Sequence, residues 1–236
     1  MGKPEKPPRN EFLILLFLIL AQPGYAQSFI NLGFESATLP SLPTGQYGSY
    51  VPSTNALPGW SPNLAVLQNN ADIGTAAIDL LGPHLSASQS NILFGGVIEG
   101  NYSAVLQAGF DQSSGTSVLV DASITQTGLV PTDAQSIRVK VRAPGLFVIF
   151  AGQNLPLVTL ATENTYVLVG ADISQFAGQV GSLTFSTSIA FAHHSYDVPF
   201  DSIVFSLQQI PEPNSLALLN IGILLFGFFR RRTSSR

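Results

Sequence analysis

The chain has 236 residues, enough for one core of ordinary size or two small ones. It contains no cysteine, which excludes disulfides, thiolate metal sites and cysteine nucleophiles. Between residues 27 and 209 only Arg138, Lys140 and Arg142 are basic, against eleven Asp and Glu, a formal charge of −8 that repels phosphate backbones and argues against nucleic-acid binding.

Residues 1–26 predict a secretory signal peptide, cut by signal peptidase between Ala26 and Gln27. Lys3, Lys6 and Arg9 precede a ten-residue apolar run, Phe12 to Ala21. Pro23 and Gly24 break that run, and Gly24 and Ala26 put small residues at the −3 and −1 positions of the cut.

The expected exported domain spans 27–209. Leu39 to Pro62 carries five prolines and reads as a long loop without an element of its own. Short β-rich runs predict strands near Phe29–Phe34, Ala65–Gln68, Ala76–Leu80, Tyr102–Ala108, Ser117–Gln126, Ser136–Ala143, Leu146–Ala151, Leu155–Leu160, Tyr166–Ala171, Ser182–Ala190 and Asp201–Leu207. The cleanest alternation puts Ile137, Val139 and Val141 on one face and Arg138, Lys140 and Arg142 on the other. No stretch sustains a 3.6-residue period, so many short strands joined by turns predict an all-β antiparallel sandwich or barrel in one domain.

The tail, 210–236, has its own logic. Leu216 to Phe229 is a fourteen-residue apolar run interrupted by Asn220. At ~1.5 Å per residue its helix falls short of a ~30 Å hydrocarbon core. Arg230, Arg231 and Arg232 follow it and favour the cytoplasmic side, leaving 27–209 outside. Pro211-Glu212-Pro213, then the short apolar helix, then the arginines, resembles the PEP-CTERM sorting signal of bacteria. The resemblance implies recognition by an exosortase, removal of the tail after a transient inner-membrane stage, and transfer to the cell envelope or the extracellular matrix of a biofilm.

A second resemblance concerns the domain. Asn31 to Glu35 within Phe29-Ile30-Asn31-Leu32-Gly33-Phe34-Glu35 resembles the opening strand of jelly-roll modules of the galactose-binding-like, carbohydrate-binding type. Pro58-Gly59-Trp60, Ile98 to Gln107 and Phe200-Asp201-Ser202-Ile203-Val204-Phe205 resemble, in order, the loop, central strand and closing strand of those modules. This implies a jelly-roll β-sandwich, flanked by the signal helix and the C-terminal apolar helix, with first and last strands close together. Ser202 stands where a second Asp is frequent.

In such a fold Glu35 and Asp201 are either ligands of a structural Ca²⁺ or solvated strand-end acids. Trp60 either stacks on a sugar or plugs one end of the core, and Tyr47, Tyr50 and Tyr102 are further stacking residues. His193 and His194 are adjacent and so point to opposite faces of a strand, while His84 is isolated; all three read as loop histidines without a catalytic role. No G-x-S-x-G elbow, P-loop, H-E-x-x-H or dinucleotide fingerprint occurs. The expected function is therefore non-catalytic: an exported surface protein that binds or organises matrix polysaccharide. The alternatives are a purely structural or adhesive protein without a small ligand, and a glycan hydrolase, which needs two converging carboxyl groups.

Overall fold

The computed structural model describes residues 27–42, 48–70, 74–82, 94–111, 117–191 and 196–211. The expected signal peptide, Tyr47, His84, His193, His194, Glu212, Pro213, the C-terminal apolar run and Arg230–Arg232 lie outside the described residues.

The strands in chain order begin with β1 (Ser49–Tyr50), β2 (Ser61–Pro62), β3 (Val66–Gln68), β4 (Ala77–Leu81) and β5 (Ser103–Asp111). Next come β6 (Val118–Val120), β7 (Ala122–Leu129), β8 (Ser136–Val141), β9 (Phe147–Phe150) and β10 (Gln153–Leu155). The last four are β11 (Val158–Thr162), β12 (Val167–Asp172), β13 (Val180–Thr187) and β14 (Tyr196–Ser206). A one-turn helix, α1, covers Ser53–Ala56. The larger sheet runs β1-β3-β4-β5-β14-β8-β12-β11, with β6 paired to the far end of β5. The smaller runs β10-β9-β13-β7-β2. All pairs are antiparallel except β3–β4. The protein is thus an all-β sandwich.

The alternation read in β8 is the rule of the fold. Ile137, Val139 and Val141 enter the core, and Arg138, Lys140 and Arg142 stay on the outer face. From the larger sheet Ile78, Leu80, Leu106, Val198 and Phe200 join them, and from the smaller sheet Ile124, Val148, Phe150, Leu183 and Phe185. Four rings cross-link the layers. Phe185 stacks on Phe200 with centroids 5.3 Å apart, Phe34 meets Phe200 edge-on at 5.4 Å, and Trp60 meets Phe185 at 5.8 Å and Phe34 at 6.2 Å.

Several sequence expectations are corrected. Phe29–Phe34 is not a strand: Ser28 just before it makes a single bridge to Leu129, and the chain then turns from Leu32, with Asn31 and Phe34 in the left-handed region at φ 52° and 60°. That twist sends Phe34 into the core instead of along a ladder. Leu39–Pro62 is not a bare loop, because it contains β1, α1 and β2. Leu155–Leu160 divides at Pro156, which cannot donate to a ladder: β10 stays with the smaller sheet and β11 edges the larger. Ser117–Gln126 divides at Asp121, where the chain passes from β6 beside β5 to β7 in the opposite sheet. β14 begins five residues earlier than expected and carries Pro199 within a central strand.

Phe185 has no exposed surface and touches both Trp60 and Phe200. Phe185→Ala should cost about 3–5 kcal/mol, read as a lower denaturant midpoint at unchanged m.

Candidate functional site

Where the opening segment, the turn before β5 and the closing strand meet, the sequence-predicted acids Glu35 and Asp201 come to one corner. Asp201 lies on the outer face of β14 opposite Lys140, and a bulge with Ser202 at φ 52° follows it before Val204. The turn over 98–102 wraps around both carboxylates. Glu35 Oε1 accepts hydrogen bonds from the Asn101 N–H (2.9 Å) and the Tyr102 N–H (3.2 Å), and Oε2 accepts from Asn101 Nδ2 (3.0 Å). Asp201 Oδ2 accepts from Ser103 Oγ (2.7 Å) and the Glu99 N–H (3.2 Å), and Oδ1 from the Ser202 N–H (2.6 Å). Gly100 makes the wrap feasible: its φ is +62°, and a Cβ there would collide with the Glu35 carboxylate.

The outer face of β8 closes the corner. Lys140 Nζ lies 2.7 Å from Glu99 Oε2 and 4.9 Å from the Tyr166 ring centre, and Ser202 Oγ donates to the same Glu99 oxygen. Arg142 straps the preceding loop through the carbonyls of Phe94, Gly96 and Val97, and reaches Thr165 O at 2.9 Å. Lys140 holds the Glu99 carboxyl below its ordinary pKa, helped by Ser202. Burial pushes Asp201 up to about 6, against the pull of its three donors, and Glu35 adds to the rise.

These surroundings suit hydrogen-bonded acids better than calcium ligands. Calcium takes bare oxygens in numbers of about six to eight, whereas the oxygens of Glu35 and Asp201 face N–H and O–H donors. Among the described residues no three Asp, Glu or His side chains gather around one point.

A second feature lies at the rim of the sandwich. A recess of about 620 Å³ is lined by Tyr50, Ser53, Thr54, Trp60, Ser61 and Pro62 together with apolar residues of 51–66. Tyr50 is 77% exposed, whereas Trp60 is 5% exposed. The indole is held in the core by Phe34 and Phe185, and its Nε1 donates to Asn31 O at 3.1 Å. The aromatic side chain open to a ligand here is Tyr50; Tyr102 is partly buried against the core. Sequence reasoning named Tyr50 only in passing, because the recess is built by β1, α1 and β2, inside the segment read as loop.

No protein-family model matches the chain, and no curated protein sequence matches it. Among the described residues no helix is long and apolar enough to cross a membrane.

The raised pKa of Asp201 carries a sign. The folded state binds this proton more tightly than the unfolded chain, so the Asp201 contribution favours folding below pH about 4 and is lost as pH rises towards about 6. Unfolding free energies of wild type and Asp201→Asn measured by denaturant titration from pH 3 to 8 should differ by an amount that changes across that window, by up to roughly 3 kcal/mol. A constant difference would contradict this assignment.

Proposed function

We propose that this chain is an exported bacterial surface protein, delivered and released through its tail. The observation that carries the reading is the order Pro211-Glu212-Pro213, short apolar run and Arg230-Arg231-Arg232, behind a β-sandwich preceded by a signal-like segment. The run is too short for a comfortable permanent anchor, which favours a processed signal. The sorting enzyme is of the exosortase type, and the destination is the envelope or extracellular matrix.

Within that reading the sandwich is a jelly roll with a binding role and no catalytic one. Its opening segment lies against its closing strand, where the Ile203 N–H donates to Leu32 O at 3.0 Å. The recess supports the binding role: Tyr50 offers an exposed ring beside the hydroxyls of Ser53, Thr54 and Ser61, and no charged side chain lines it. Rings with neighbouring hydroxyls suit the flat apolar faces and hydroxyl edges of polysaccharide. A purely structural or adhesive protein is the second reading, favoured if the recess takes no glycan. Hydrolysis is the least supported, since glycosidases need two carboxyl groups across the bond and the recess lining has none.

Two measurements test this. In a host with an exosortase, intact-mass spectrometry should find the released protein without its arginines, and substitution of Pro211, Glu212 and Pro213 by alanine should leave the tail attached. Tyr50→Ala should weaken binding to a neutral polysaccharide roughly ten-fold with little change in thermal midpoint. Absence of glycan binding in folded wild-type protein would leave the structural reading.

A further inference from the structure

The base of the tail is built into the domain. β14 ends at Ser206, but the next residues stay on the outer face of the larger sheet. Gln208 O accepts hydrogen bonds from Ser136 Oγ (2.7 Å) and Arg138 Nη2 (3.3 Å), and Gln208 Oε1 accepts from Arg138 Nη1 (2.8 Å). Arg138 Nε donates to Ser136 Oγ at 3.1 Å, which orders the guanidinium. Further on, Ile210 lies half-buried over Gly170 of β12. A Cβ at Gly170 would come within 3.0 Å of Ile210 Cδ1 and 2.9 Å of Leu160 Cδ1.

Ser136 and Gly170 both belong to the outer face, since Ser136 alternates with Ile137 and Gly170 pairs with Arg138. Yet Ser136 has no exposed surface and Gly170 is buried. Gln208 lies against the first; Leu160 and Ile210 lie against the second. The missing side chain at 170 is therefore a socket for Ile210. Pro211 helps, because it keeps Ile210 out of the helical region and so extended on the sheet. Leu207, by contrast, is 67% exposed, so apolarity alone does not dock the segment. Arg138 is one of only three Lys or Arg side chains between residues 27 and 209. In a domain with eleven acids, it is engaged by the base of the tail.

Resting on the reading of the tail as a sorting signal, we propose that residues 207–210 form a clasp on β8 and β12 that shields the start of the Pro211-Glu212-Pro213 motif, and that tail removal proceeds through its opening. An enzyme that cuts a chain binds several residues around the bond in an open form. A segment hydrogen-bonded into a fold is reached only from its locally opened state, and cutting then follows the population of that state. The clasp is small: three hydrogen bonds to Gln208 and one apolar side chain in a socket. Its opening therefore does not require the sandwich to unfold. It slows release from the domain side and leaves the motif itself unaltered. Arg138 is its positioning residue.

The test uses the full chain in mild detergent, with subtilisin as the probe of opening and mass spectrometry to follow cuts within 207–211. Arg138→Ala and Ile210→Ser should each raise that cutting rate roughly ten-fold over wild type. Lys140→Ala, on the same strand but bonded to Glu99, should leave it unchanged. In a host with an exosortase, pulse-chase release of the tail should accelerate by a similar factor in Arg138→Ala. The denaturant midpoint should hold in at least Ile210→Ser, which separates a clasp from general loosening of the sandwich. Wild type cut within 207–211 as fast as Arg138→Ala would overturn the proposal. So would faster subtilisin cutting without faster release. Slower release in Arg138→Ala would also overturn it, by making the docked segment part of what the enzyme recognises. Tail retention in every chain, wild type included, would instead overturn the sorting reading and the gating with it, while the subtilisin rates still report the clasp.

Discussion

The contact on which the sandwich depends is the four-ring cluster of Phe34, Trp60, Phe185 and Phe200. Each ring comes from a different place: the opening turn, the end of the α1 loop, β13 of the smaller sheet and β14 of the larger. The cluster therefore joins both layers to two segments that lack regular ladders of their own. Its demand on the backbone is visible at Asn31 and Phe34, both at positive φ. A left-handed phenylalanine is costly, and here it is offset by a fully buried ring. Asn31 ties the turn to the cluster, since its carbonyl accepts from the Trp60 indole and its Nδ2 donates to Pro58 O at 3.2 Å.

Charge is the second constraint. A domain with eleven acids and three basic side chains must satisfy its buried carboxylates mainly with neutral donors. At the corner it does so by folding the Glu99–Ser103 turn around Glu35 and Asp201, with Ser103 and Ser202 supplying shorter links. The three cations are set on alternate positions of one strand, where each reaches a different neighbour across the outer face. Lys140 and Arg142 thus act as straps on the turn and loop that precede β5, and Arg138 holds the end of β14 through Gln208.

Strands with strict alternation were legible because only one pattern of burial fits them. In β8 each second residue is apolar and its neighbours are cationic, so register and facing follow together. The errors have local causes. The last strand was read from Asp201, but β14 begins at Tyr196 and pairs Pro199 with Val105, ahead of the bulge between Asp201 and Val204. Asp121 marks a change of sheet that periodicity cannot register; the break is held by Asn63 Nδ2 to Asp121 O at 2.8 Å and by the Ile189 N–H to Asp121 Oδ1 at 3.1 Å. The proline-rich segment hid α1 and the two-residue strands, which exist through long-range pairing and not through propensity.

By itself the sequence determined the all-β class and the facing of the basic stripe, while the nearness of Glu35 to Asp201 was only what the resemblance to jelly-roll modules implied. It also carried the terminal patterns, because those are linear: a charge, a run of apolar residues and a short motif act in chain order without folding. Only the tertiary structure decided what surrounds each side chain. The apolar run around Asp79 marks that acid as out of place, but its complete burial is visible only once β5 lies beside β4. The same holds for Trp60 and Tyr50: both are aromatic residues near a proline-rich segment, and packing alone puts one in the core and leaves the other open at the rim.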